Sequence, residues 1–189
     1  MNKKIILTSI SCIFVLAVLI SGGLYLKYQN DVKTIKKFCY NYIKLDEKIS
    51  NNEKSYSNYI KAIKNYVDVF TLYEGYAKIS DENKNNIAKV SEEYIEYVSE
   101  LKNLSTPKEF KEDYDKLIDL YDKDIIRREN INRDFKNNNG NNIEKDYIEN
   151  NKELIQIKND FQSKLTIITR QKGINIDNII LELEEKESK

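Results

Sequence analysis

Tyr56, Tyr59, Ile63, Tyr66, Phe70 and Tyr73 recur three and four residues apart, a spacing that puts six large side chains on one face of a helix. Phenol rings in a row offer apolar faces and polar edges, the surface that stacks on sugars, holds cations or docks a second helix. The same 3-4 rhythm, continued to Ala77, is what a helix uses to bury itself in a bundle. The stripe is therefore a candidate interaction seam, and plain core is its competing reading.

Four other groups invite a chemical reading. Glu112, Asp115, Asp119 and Asp122 line one helix face, but a straight row cannot converge on a cation, and Lys111, Lys116 and Lys123 flank it. The expectation is a solvated, lysine-paired surface. Residues 137–142, Asn-Asn-Asn-Gly-Asn-Asn, place Gly140 where a calcium loop has its glycine, yet Phe135 then fills the first ligand position and Asp146 the last, so no calcium site is expected. Asn150 falls on the inward face of its helix between Tyr147 and Leu154 and is a candidate register residue, since a polar group at a seam position fixes pairing at a cost in stability. Arg127, Arg128 and Arg133 gather near one helix end; they suit an anion clamp, or pairing with the nearby Glu129 and Asp134, the preferred reading.

The remaining chemistry is thin. The chain has no His and two Cys, which removes the usual acid–base relay and ordinary zinc, haem or copper ligation. No nucleophile elbow, phosphate loop or dinucleotide fingerprint is present. We expect no catalytic residues, no cofactor and no metal. Lys and Arg balance Asp and Glu at 31 each, so no bulk charge draws the chain to nucleic acid. The abundance of Ile, Lys, Asn and Tyr, all with A/T-rich codons, marks a low-GC coding sequence.

The elements that must carry these groups are helical almost throughout. Residues 1–4 form a short basic segment, and 5–26 are 22 residues without a charge, about 33 Å as a helix and long enough to cross a bilayer. This reads as a transmembrane signal-anchor; a signal peptide cut near Ser21-Gly22-Gly23 is the alternative. Lys3 and Lys4 face Lys27, Lys33, Lys36 and Lys37 across the span, so flanking charge does not choose the orientation. Long polar domains translocate largely regardless of flanking charge, which favours an extracytoplasmic domain. Cys12 in the span and Cys39 beyond it cannot pair with each other, and Cys39 reads as a small apolar core residue.

Residues 27–183 read as one elongated antiparallel bundle of four to five helices with coiled-coil-like packing, followed by a charged tail at 184–189. Val32, Ile35, Cys39, Tyr42 and Ile49 extend the anchor helix, with a break expected at Ser50-Asn51-Asn52. Ile87, Val90, Tyr94, Tyr97, Leu101 and Leu104 mark a helix after a break at Ser80–Asn83. Thr106-Pro107-Lys108-Glu109 predicts a capping box opening a helix over 107–136, and Phe110, Tyr114, Leu117, Tyr121, Ile125, Ile131 and Phe135 turn inward on it. A helix over 143–172 carries Tyr147, Leu154, Ile157, Phe161, Leu165 and Ile168 and stops at Gly173. Residues 174–183 fit a strand or a short helix capped by Asp177.

The functional expectation is a membrane-anchored, non-enzymatic module for docking a protein partner or a second copy. The alternative is a ligand-sensing domain, similar to the extracytoplasmic four-helix sensors of bacterial receptors but with no second span or output segment following. An immunity-type membrane protein is a third option, motivated by size and topology alone.

Overall fold

The computed structural model describes the backbone of residues 3–74, 79–137 and 143–187, and side chains within 21–63, 79–137 and 152–181. It is all-helical: α1 Lys3–Glu74, α2 Asp81–Lys102, α3 Lys111–Lys136, α4 Ile143–Gln171 and α5 Ile176–Glu187. Helices α1 to α4 close a ring in which α1 packs on α2 and α4, and α3 packs on the same two; α5 packs on α1. Cross-helix contacts fix the directions. Tyr28 lies by Lys172 and Asp46 by Lys158, so α4 runs antiparallel to α1. Tyr114 reaches Leu101 while Lys84 reaches Lys136, so α2 and α3 are also antiparallel. The expected up-and-down bundle is therefore present.

Its seams explain the packing. On α1, Ile35, Phe38, Tyr42, Leu45, Ile49, Asn52, Tyr56, Ile60 and Ile63 are buried, three or four apart. On α2 the buried set is Ile87, Val90, Ser91, Tyr94, Val98 and Leu101, which leaves the expected Tyr97 only half-buried, with the Lys48 ammonium over its ring. An aromatic knot of Phe38, Tyr42, Phe110, Tyr114 and Phe161 ties α1, α3 and α4 together, with ring centroids 4.9–6.5 Å apart. Cys39 is buried there as expected, and burial pushes its thiol up to about 12, so it stays a neutral thiol. Tyr56, Ile60 and Ile63 belong to a second apolar cluster with Ile79, Ile87, Ile131 and Phe135.

Three local expectations need correction and one open alternative is decided. First, α1 does not break at Ser50-Asn51-Asn52; it runs unbroken for 72 residues, about 108 Å. These side chains do not compete for their own backbone because tertiary partners occupy them: Ser50 Oγ accepts from Lys158 Nζ at 2.8 Å, and Asn52 Nδ2 donates to the Val90 carbonyl at 2.8 Å. Second, no capping box forms. Thr106 Oγ1 donates to the Leu104 carbonyl, residues 107–110 make a turn closed by Phe110 N–H on the Pro107 carbonyl, and α3 starts at Lys111. Third, residues 176–187 are helix, which settles the strand-or-helix ambiguity. Fourth, Asn175 and not Asp177 caps that helix, its Oδ1 accepting from Asp177 N–H at 2.9 Å. The break before α2 is as expected, with Ser80 Oγ capping Asn83 N–H.

No helix among the described residues is long and apolar enough to cross a membrane. Most of the expected span 5–26 lies where side chains are outside the described residues. Its described end shows Leu24, Tyr25 and Leu26 exposed, at 63, 61 and 69%.

Gly173 ends α4 as expected, at φ +68°, with its own N–H on the Arg170 carbonyl and Ile174 N–H on the Thr169 carbonyl. A Cβ at this position would meet nothing within 4 Å, so the demand is purely one of backbone conformation. Gly173→Ala should lower unfolding free energy by about 1 kcal/mol in urea titrations. An unchanged midpoint would show that the α4–α5 turn is not under this constraint.

Candidate functional site

The inward seam of α3 reads Leu117, Tyr121, Asp124, Arg128, Ile131 and Phe135, spaced 4-3-4-3-4. Helical geometry thus forces a carboxylate and a guanidinium into the interior at consecutive seam positions. Arg127, one residue earlier, is three residues after Asp124 and shares it. Arg128 Nε donates to Asp124 Oδ2 at 3.0 Å, and Arg127 Nη2 donates to Asp124 Oδ1. From α1, Asn52 Oδ1 accepts from Arg128 Nη1 at 3.0 Å, while its amide nitrogen holds the Val90 carbonyl of α2. The rings of Tyr56 and Tyr94 sandwich the guanidinium, with centroids 4.3 and 3.5 Å from its carbon. Arg128 is 1% exposed, Asp124 6% and Asn52 6%.

Burying a charge this deeply is costly unless it is paired and hydrogen-bonded. Here one carboxylate, one amide oxygen and two π faces replace its water. Burial first, and the Asp124 carboxylate second, hold the Tyr94 phenol well above its usual range. Tyr42 and Tyr121 are likewise raised, chiefly by burial, and their hydroxyls have no hydrogen-bond partner among the described residues. All three phenols are neutral over the physiological range.

Two recesses reach this layer, one on each side of Leu154. The larger, about 660 Å³, lies between α1 and α4 and is lined by Ser50, Glu53, Lys54, Ser57, Asn58 and Lys61 from α1, Leu154, Ile155 and Lys158 from α4, and Arg128. Lys158 sits in its wall, 2.9 Å from Asp46 and 4.0 Å from Glu53. Burial raises the Glu53 carboxyl above its ordinary value, against the opposing pull of Lys158 and Arg128. The smaller recess, about 290 Å³, lies between α3 and α4 and takes Arg127 and Asp124 in its lining.

Of the sequence candidates, the structure draws Tyr56 to this site as core, leaves Tyr59 half-buried and places Ile63 in the second apolar cluster. The side chains of Tyr66, Phe70, Tyr73 and Asn150 lie outside the described residues, as do residues 138–142 of the Asn-rich loop. Tyr59 is thus the one described aromatic of the seam that keeps part of its ring at the surface. The carboxylate row is solvated and lysine-paired as expected: Lys111–Asp115 2.5 Å, Lys116–Glu112 2.7 Å, Lys123–Asp119 2.9 Å, and Asp122 pairs with Lys102. No group of three or more potential metal ligands lies together among the described residues. The expected pairing of Arg127 and Arg128 with Glu129 and Asp134 is corrected: their partner is Asp124, the one acid three and four residues before them. Arg133 instead donates to Asn130 Oδ1. Asn52, the residue expected to break a helix, is the one that joins three.

Compared with protein-family models, with characterised proteins and with solved structures, the chain matches none.

Asp124→Ala strands two buried guanidinium groups and should cost about 3–5 kcal/mol. Asp119→Ala, which removes an exposed pair on the same helix, should stay within about 0.5 kcal/mol. Chemical denaturation of both variants checks the contrast, and equal losses would contradict it.

Proposed function

We propose that this chain is a membrane-anchored helical module that binds a ligand and performs no chemistry on it, with its bundle on the extracytoplasmic side. The observation that carries the reading is the recess between α1 and α4, which leads from the surface to a charged group held rigidly inside the bundle. Support for a binding rather than a catalytic role comes from the state of the interior groups. The Cys39 thiol is held neutral by burial, the buried phenols are held neutral, and Asp124 is committed to two arginines. Support for tethering comes from the uncharged 5–26 segment and from α1, which carries it without a break into the recess wall.

Between the two modes of binding, the recess favours ligand sensing over docking through the tyrosine seam. Its volume suits a small molecule, whereas the described seam side chains are already used in the core or partly covered. A partner protein or second copy remains the reading for the seam beyond residue 63.

The anchor and its orientation are tested together. With Cys39 replaced by Ala, Ser99→Cys places a thiol at an exposed position on α2. In cells expressing the full chain, the protein should resist carbonate extraction, and the new thiol should react with an impermeant maleimide before permeabilisation. Release by carbonate, or labelling only after permeabilisation, would refute the tethered extracytoplasmic reading. Cys39 itself cannot report the side of the membrane, because it is fully buried.

A further inference from the structure

We propose that the recess between α1 and α4 binds a small soluble oxyanion, a carboxylate or phosphate compound, with Arg128 as its fixed floor. The oxyanion site rests on the binding-module reading, and only the choice of a solute over a lipid draws on the membrane anchor.

Three features of the recess carry it. The first is Arg128. Its side chain is 2% exposed, yet it lines the recess, and its Nε and Nη1 hydrogen bonds to Asp124 and Asn52 leave Nη2 without a partner among the described residues. A guanidinium cannot give up its charge, so those N–H groups remain donors seeking an acceptor. Two tyrosine rings fix its plane, which makes the donors preorganised for a planar or tetrahedral oxyanion.

The second is charge. Lys54 and Lys61, two turns apart on α1, stand at the recess without an ion pair among the described residues, and Lys158 adds a third ammonium. Counting, among the described residues, the recess and the groups paired with its lining, Lys54, Lys61, Arg128 and Lys158 face Asp46, Glu53 and Asp124, four cations against three carboxylates. A bound anion meets this excess without displacing an existing partner of Arg128.

The third is position. Residue 50 lies 24 residues beyond the end of the uncharged segment on an unbroken helix, about 36 Å along its axis. That is several Debye lengths from any lipid headgroup at physiological salt, so the occupant is a solute and not a lipid. Ser50, Ser57 and Asn58 supply neutral hydrogen-bonding groups around the charged floor, and Leu154 and Ile155 supply an apolar wall, the composition of a small-molecule site.

The test uses the full chain in phosphatidylcholine nanodiscs, titrated calorimetrically with inorganic phosphate, succinate and citrate, beside the Lys54→Gln/Lys61→Gln variant. Both lysines are exposed, so the variant should melt as wild type does. Saturable binding of at least one of these anions, weakened about tenfold in the variant, would support the site. Absence of binding by all three at millimolar concentrations, or binding that the variant leaves unchanged, would overturn it. So would a response confined to phosphatidylglycerol nanodiscs, which would name a lipid source. Thermal stabilisation by neutral or cationic solutes alone would overturn the anion while leaving the binding-module reading standing; no stabilisation by any solute class would remove both.

Discussion

Arg128 can stay buried inside the bundle only while three helices hold it at once. Asp124 from its own helix takes Nε, Asn52 from α1 takes Nη1, and Tyr56 of α1 and Tyr94 of α2 cover its two faces. A slip of α1 by one heptad would remove the amide acceptor and one ring together. An apolar seam tolerates such slips at modest cost, because one Ile or Tyr packs much like another; a buried guanidinium does not. The layer formed by Asn52, Tyr94, Asp124 and Arg128 therefore fixes the register of α1, α2 and α3. It also divides the interior into an aromatic half around Phe38 and Phe161 and an aliphatic half around Ile60 and Ile131.

The same layer links fold to function. Because α1 is one rod, the wall of the recess and the uncharged segment belong to a single element, and any shift of α1 against α4 moves that segment with the recess wall. Asp46 of α1 is bonded to Lys158 and Gln162 of α4 along this interface. These bonds are polar and mostly partly exposed, a weaker contact than the aromatic knot that adjoins them at Tyr42 and Phe161. An occupant of the recess that drew on Lys158 would compete with Asp46, which gives ligand binding a direct purchase on the α1–α4 contact.

Much of the fold could be read from residue spacing. The helical seams of α1 to α4 follow from 3-4 patterns, from the Ser80 and Gly173 stops, and from the paired carboxylate row on α3, all properties of neighbours along one helix. The break wrongly expected in α1 has a clear cause: polar residues whose partners lie on other helices. Ser50-Asn51-Asn52 looks like a breaker when its only visible competitor is its own backbone, and Asn52 becomes a core residue once Val90 and Arg128 are in reach. The inward placement of Asp124 and Arg128 is hidden when the apolar pattern is followed from Tyr121 to Ile125 to Ile131. The strict seam was nevertheless in the sequence at 117, 121, 124, 128, 131 and 135. A signal was available: polar residues fall on seam positions of three helices, at 52, 91, 124 and 128, with opposite charges among them. The recess could not be read, because it depends on how far apart α1 and α4 stand at Leu154.

The claim that one buried layer holds the helices in register is tested most directly by a double-mutant cycle between Asn52→Ala on α1 and Arg128→Met on α3, with stability measured by chemical denaturation. The account expects the two losses to be strongly non-additive, with a coupling of about 1 kcal/mol or more, since each variant removes the same interhelical bond. Losses that add to within about 0.3–0.5 kcal/mol would mean that the two residues act independently and that the register is set elsewhere.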